Sequence, residues 1–302
     1  MVSKQSYLNL EVAVIVLTYN QEDILHVCLD SILSQKLKSA TLKIFVIDDA
    51  STDGTKSVIE KYQREYPALI FSVLHETNQY QFGKAPEFST LKNITSSHVA
   101  FCDGDDYWTD ELKLEKQIQK FIEDKSLSIV HSDYFFGKTI NSNIQLQPRT
   151  EKERQKARRI KNSFDLIQGN DIKKSTALFR TSALDFRLLD RCIGIRAQDW
   201  VVAIGAGSSG GILFLEEATT CYRLSDVATF QTLDQEEKLR VKDEVRWFCA
   251  TNLPDGKLRS EFRRFLFAQE CRRIIRNNFL YRTLRPLVVV LRKIRTKIIR
   301  GS

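Results

Sequence analysis

The chain has 302 residues, 42% hydrophobic and 28% charged, a globular composition long enough to bury a substantial core and too apolar for a disordered polymer. Its formal net charge of +8 is concentrated at one end: residues 257–302 hold 14 Lys/Arg against Glu261 and Glu270, leaving −4 on the other 256 residues. A mildly acidic body without a basic face or recognised binding motif excludes a nucleic-acid partner, and six scattered cysteines with no CxxC pair read as reduced thiols rather than a disulfide frame or zinc site.

The start, MVSKQSYLNLEVAVIVLTYN, runs straight into a strand-like segment, so no signal peptide is expected, and no apolar run is long enough to span a bilayer. VAVIVL (12–17) is an unbroken apolar strand, followed by helical spacing of Ile24, Leu25, Cys28, Ile32 and Leu33 within 22–36. KIFVID (43–48) predicts a second strand, and 54–66 a second helix capped from Ser51 or Asp53. Strands at 70–74 and 98–102 flank a helix within 84–96, and a helix over 109–124 precedes a strand at 128–136. Residues 141–161 are polar and read as a surface loop or short helix. A strand at 175–180, a helix at 197–207 and strands at 211–217 and 219–223 follow, and the pattern is helical from about 234 onward. This alternation predicts an α/β fold with a mostly parallel, Rossmann-like sheet and helices on both faces. Ligands then bind beyond the carboxyl ends of the strands. Three of those ends are polar: Thr18-Tyr19-Asn20, Asp48-Asp49, and Asp103-Gly104-Asp105-Asp106.

Crowded carboxylates repel unless solvated, protonated or sharing a cation. In FCDGDDYWTD, Asp103 and Asp105 are two apart and point to one side of an extended segment, where hard oxygen ligands suit Mg²⁺ or Mn²⁺ on a diphosphate; a solvated acidic turn is the plain alternative. A calcium EF loop fails because Tyr107 and Trp108 occupy the positions of Asp/Asn and Gly, and a DxDxT phosphatase fails because Tyr107 replaces the Thr. In VIDDASTDGT, helix capping accounts for Ser51, Thr52 and Asp53, whereas Asp49 at a strand end can accept hydrogen bonds from a base or ribose. The GxSxG of Gly207, Ser209 and Gly211 lies between helix and strand rather than strand and helix, and no His follows it, so it is a glycine-rich turn.

VIVLTYNQEDIL, FVIDDASTDGT and FCDGDDYW followed by TDELKLEKQI together resemble the family 2 inverting glycosyltransferases with the GT-A fold, over roughly residues 10 to 225. The flavour is that of DDYW-type bacterial transferases of capsule, lipopolysaccharide and O-antigen synthesis. The resemblance implies a nucleotide-sugar donor, most commonly a UDP-sugar, a divalent metal (Mn²⁺ or Mg²⁺), and a glycan or lipid-linked acceptor. It implies Thr18 and Asp49 against the nucleobase, Tyr19 and Asn20 shaping the pocket with Glu22 near it, Asp103 near the ribose, and Asp105 holding the metal with Asp103 beside it. Lys84 in QFGK matches a basic position that contacts phosphate, with a solvated loop lysine as the alternative. The base that takes the acceptor proton would be Asp199 in AQDW, a position equally suited to a helix cap; Asp185 and Asp190 are weaker rivals. Two departures stand out: Ser225 occupies a position where many relatives have a metal-binding His, and SSH replaces a glycine-containing turn before the fourth strand.

The expected organisation is a GT-A domain over 1–230, with a nucleotide-binding half (1–110) and an acceptor-side half (111–230), and a basic helical region over 231–302. Within it, 280–300 spaces apolar and basic residues as an amphipathic helix suited to an anionic membrane surface, or to packing on protein. The expected location is the cytoplasm, peripheral to the inner face of the membrane. A sugar nucleotidyltransferase is the first rival, although LTYNQED lacks the glycine-rich phosphate loop that chemistry favours. A non-catalytic scaffold of the same fold is the second.

Overall fold

The computed structural model describes residues 10–140, 143–224 and 233–277; the expected membrane-docking helix at 280–300 and Ser225 lie outside the described residues. One nine-stranded sheet runs through the molecule. Its first half is parallel: β1 (Glu11–Thr18) lies between β2 (Thr41–Asp48) and β4 (His98–Asp103), with β3 (Ile70–Leu74) outside β2. Its second half is mixed. β8 (Ala177–Arg180) runs antiparallel between β4 and β6 (Leu127–Ile140), β6 pairs in parallel with β9 (Gly211–Arg223), and the short β5 (Tyr107–Trp108) and β7 (Asn143–Pro148) close the edges.

Alternation along β1 divides the core. Val12, Val14 and Val16 face α1 (Leu25–Leu33), α2 (Thr55–Glu65) and α4 (Lys113–Glu123), meeting Leu25, Leu29, Ile59, Leu114 and Phe121. Ala13 and Ile15 face the other way, into a core shared with α3 (Glu87–Leu91), α6 (Phe186–Arg191), α7 (Gln198–Gly207), α8 (Gln235–Asn252) and α9 (Lys257–Asn277). That core includes Val245, Phe248 and Phe262, so the helices after 234 are packed into the same interior as the sheet.

Several sequence expectations are revised. The helix expected within 84–96 shrinks to α3, and the polar stretch 141–161 holds, beside its expected short helix α5 (Glu151–Arg159) with a Thr150/Glu153 capping box, an unexpected strand, β7. The two strands expected at 211–217 and 219–223 are one, β9, because a shift in register against β6 absorbs the interruption at Glu216-Glu217. Glu216 then pairs with Arg154 and Arg158 on one face of α5.

His131 on β6 is fully buried against Phe214, neither ring nitrogen has a hydrogen-bond partner, and burial lowers its pKa to about 3. The unfolded chain takes up a proton here below about pH 6.5 while the folded chain does not, so the associated stability is full above that pH and is lost as pH falls toward the folded value. Between pH 7 and pH 5 this one side chain is expected to cost about 2 kcal/mol. In His131→Leu that part of the slope should vanish, as read from urea unfolding at the two pH values; an unchanged slope would refute the assignment.

Candidate active site

The register of the parallel strands brings the three polar ends to one edge: Thr18 lies opposite Asp48, and Leu17 opposite Asp103. The loops beyond them are tied to one another. Asn20, at φ 51°, accepts the Thr52 N–H at 2.8 Å through Oδ1, and its own N–H donates to Ser51 Oγ at 2.9 Å. Ala50 sits at φ 65°, where a Cβ costs about 1 kcal/mol, so Ala50→Gly is expected to raise stability by several tenths of a kcal/mol, measurable by denaturant unfolding. Strain retained beside a strand-end carboxylate is a mark of a functional loop.

Asp49 is buried, and its two oxygens accept the backbone N–H groups of Gln79 (2.7 Å) and Tyr80 (3.0 Å). The carboxylate thus anchors the loop of residues 79–86 and keeps lone pairs for further donors. Glu22 is exposed and accepts the Gly54 N–H at the start of α2, which makes it a loop tie in this structure. Thr18 is buried and donates to Gln21 Oε1 at 2.7 Å; Tyr19 is 40% exposed at the rim. Lys84 is exposed on the 79–86 loop, whose Tyr80, Ala85 and Pro86 line a cavity of about 200 Å³.

Asp103 and Asp199 both line that cavity, and so do Glu87, Lys174 and Tyr222. The turn after β4 is fixed by Gly104, whose N–H donates to Leu17 O at 2.8 Å; a Cβ there would collide with the Gln21 side chain and press on Thr18. Asp103 is paired with Lys174 Nζ at 3.0 Å. Asp105 is raised to about 6, first by burial and then by the charge of Asp103. Asp106 is buried, one oxygen accepts the Arg223 N–H at 2.9 Å and the other has no partner, and burial raises its pKa well above the usual carboxylate range. Three acids in four positions, two of them held toward the protonated form, constitute a local excess of negative charge that a cation relieves. Among the described residues no three His, Cys, Asp or Glu side chains are placed so that together they could hold a metal ion, so the donors on offer are one or two carboxylates. That donor set suits Mg²⁺ or Mn²⁺, which take one or two carboxylates and complete their shell with phosphate and water. Asp103 and Asp105 supply carboxylates of that kind, with Asp103 shared with Lys174.

Asp199 stands in the first turn of α7, where the helix dipole favours an anion. Burial raises its pKa, with Lys173 and Lys174 pulling the other way, and Asn170 Nδ2 donates to Oδ2 at 3.4 Å. Trp200, next to it, donates Nε1–H to Leu166 O at 2.9 Å and fixes the start of the helix. The rivals have structural tasks: Asp185 caps α6 through the N–H groups of Arg187 and Leu188, and Asp190 pairs with Lys92. Asp199 also borders a second, larger cleft of about 890 Å³, and Lys173, Arg196 and Tyr222 line both spaces. The carboxylate therefore stands where the two meet.

Sequence reasoning missed Lys174 and Glu87. Lys174 Nζ bridges Glu87 and Asp103 at 3.0 Å each, and its pKa is raised by those two acids against the opposing effect of burial. Removing the cation leaves Glu87, 5% exposed, without its partner. Lys174→Met is expected to destabilise the fold by about 3 kcal/mol, checked by urea unfolding; a change below 1 kcal/mol would contradict it. Gly83, at φ 71°, carries no separate signal within QFGK. A Cβ there would strike the backbone of Gly194, and the Gly83 carbonyl accepts from Gly194 N and Gln198 Nε2, joining the loops on either side of the smaller cavity.

The family described as Glycosyl transferase family 2 matches residues 13–186. An uncharacterized protein of Mycobacterium tuberculosis is 36% identical over 108 residues, 35% of this chain and 30% of that protein. The Escherichia coli UDP-Glc:alpha-D-GlcNAc-diphosphoundecaprenol beta-1,3-glucosyltransferase WfaP is 32% identical over 128 residues, 42% of this chain and 47% of that protein. The matched stretch thus spans less than half the length of either relative. Among solved structures, Staphylococcus aureus TarS 1-349 in complex with UDP-GlcNAc superposes with a TM-score of 0.58 at 20% identity, covering 84% of this chain and 71% of that one. The mannosyltransferase PcManGT from Pyrobaculum calidifontis, in complex with GDP-Man and Mn²⁺, does so with a TM-score of 0.56 at 19% identity, covering 82% and 65%. At these identities the likeness speaks for the fold, GT-A, alone.

Proposed function

The chain belongs to glycosyl transferase family 2, and from that premise we propose that it transfers a sugar from a nucleotide diphosphate to a glycan or lipid-linked acceptor of a surface polysaccharide, with inversion at the anomeric carbon. The observation that carries this reading is the position of Asp199 between two cavities, the smaller reaching Asp103 at the end of β4 and the larger open for a second substrate.

In this reading the nucleotide lies along the strand ends, with Thr18 and Asp49 toward the base, Tyr19 and Asn20 shaping the pocket, and Asp103 toward the ribose. Lys84, exposed and on a loop that lines the cavity, reaches phosphate; Glu22 serves the loop instead. Asp105 and Asp103 would hold a divalent ion, which would supply charge stabilisation to the leaving diphosphate. Asp199 accepts the proton of the acceptor hydroxyl as that oxygen attacks the anomeric carbon from the side opposite the diphosphate. Asn170 orients the carboxylate, and Lys173 and Lys174 favour its ionised form against the effect of burial. Inversion follows from a single displacement with one carboxylate as base.

The experiment is to incubate the chain with Mn²⁺ and a panel of nucleotide sugars and to follow the nucleotide products. Release of a nucleoside diphosphate, slow without acceptor and faster with it, supports glycosyl transfer. Formation of pyrophosphate from a nucleoside triphosphate and a sugar phosphate would favour a nucleotidyltransferase, and no turnover of any donor would favour a scaffold.

A further inference from the structure

The larger cleft has an excess of positive charge. Lys156, Arg159, Lys173, Arg196 and Lys242 line it, against Asp165, Asp171 and Asp199. Those acids are already engaged: Asp165 accepts the N–H groups of Lys161 and Asn162, Asp171 lies 3.9 Å from the Arg149 guanidinium, and Asp199 is the candidate base. Two of the cations are also engaged, Arg196 with Glu244 at 3.3 Å and Lys173 over the Tyr222 ring at 4.3 Å. Lys156, Arg159 and Lys242 have no ion pair among the described residues. The division of α5 is informative, because Arg154 and Arg158 are turned to Glu216 while Lys156 and Arg159, three apart, border the cleft. Like charges gathered around a concave space repel one another and focus a positive field into it. A neutral saccharide would leave that repulsion uncompensated.

We propose that this cleft receives an acceptor that carries phosphate close to the hydroxyl to be glycosylated, engaged by Lys156 and Arg159 from α5 and by Lys242 from α8, with the hydroxyl presented to Asp199. The inference rests on the glycosyltransferase reading of the adjoining site. A volume of about 890 Å³ holds more than one sugar unit, so the phosphate and the reacting hydroxyl need not be on the same residue. Two sources share this chemistry, a phosphodiester-linked polyol chain and a sugar on an isoprenyl diphosphate.

The test is calorimetric titration of the full chain with three probes: a short glycerol-phosphate oligomer, N-acetylglucosamine on a short-chain isoprenyl diphosphate, and a neutral maltooligosaccharide of matched length. One of the two phosphate probes is expected to bind at least about tenfold more tightly than the neutral one, the worth of one charge-assisted contact, and which one identifies the source. Its affinity should fall steeply between about 50 and about 300 mM salt. Arg159→Gln should weaken it about tenfold and the triple variant K156Q/R159Q/K242Q about a hundredfold, with Arg159→Lys retaining most of the affinity. Lys156 and Arg159 are exposed, so folding of the variants, checked by circular dichroism, is expected to survive. Equal binding of the neutral probe, no binding of either phosphate probe, or wild-type affinity in the triple variant would overturn the proposal. Nucleoside diphosphates are titrated in parallel: if they bind and the phosphate probes do not, this inference alone fails, whereas if they too fail to bind, the glycosyltransferase reading beneath it fails.

Discussion

Replacing Asp199 by Asn is expected to lower the rate of sugar transfer by about a thousandfold, the contribution of a positioned general base, with the loss in kcat rather than in KM for the donor. The same change should leave the protein as stable or more so. Burial raises the pKa of Asp199, which means that the folded state disfavours its charged form at neutral pH; the uncharged amide removes that penalty and still offers an oxygen to Asn170. A variant that is more stable and nearly inactive is the signature of a group retained for chemistry rather than for folding. A helix-capping role predicts the reverse, a lower melting temperature with turnover preserved. The pH profile supplies a second check. The base must be ionised, so transfer should decline as pH falls through the raised pKa of Asp199, and the acid limb should lie above the usual carboxylate value of about 4. A rate flat down to that value would contradict the assignment.

The second large effect is expected at Asp105. Asp105→Asn should abolish the response of turnover to Mn²⁺ and lower donor turnover by about a thousandfold, since several kcal/mol of charge stabilisation on the leaving group depend on the ion. Its neighbour gives the contrast. In Asp106→Asn the oxygen that accepts the Arg223 N–H is kept and the penalty of burying a carboxylate's charged form is removed, so stability should be maintained or rise and the metal response should persist. Equal kinetic losses at the two positions would mean that the acidic turn acts as a unit, without a division between an ion-binding and a structural carboxylate.

The parts of this site legible in the sequence are those written in local pattern. Apolar runs fixed the parallel strands, their polar ends fell on one edge because parallel strands present their carboxyl ends together, and AQDW read as a helix start with an acid in its first turn. What escaped depends on partners distant in the chain. Lys174 precedes β8 in an ordinary KKST, and nothing nearby announces that Glu87 and Asp103 meet it. Arg223 carries no local signal in the sequence, yet its N–H meets Asp106 and its Nε meets the Asp105 carbonyl at 2.8 Å, clamping the acidic turn to β9. The break expected between 217 and 219 is absent, because a register shift against β6 and two arginines on α5 accommodate the charged Glu216-Glu217 within one strand. The pattern of KERQKARR announces neither that one face would pair with Glu216 nor that the other would border a cleft.

The central claim is that the strand-end acids serve a nucleotide diphosphate, and the most direct measurement is a thermal-shift panel of UDP, dTDP, GDP and CMP on the full chain, each with and without Mn²⁺. A bound nucleotide raises the melting temperature by mass action. The account predicts a rise for one diphosphate that requires Mn²⁺ and disappears in Asp105→Asn. No metal-dependent shift with any of the four would contradict it, and the carboxylates of FCDGDDYWTD would then need an explanation other than a nucleotide.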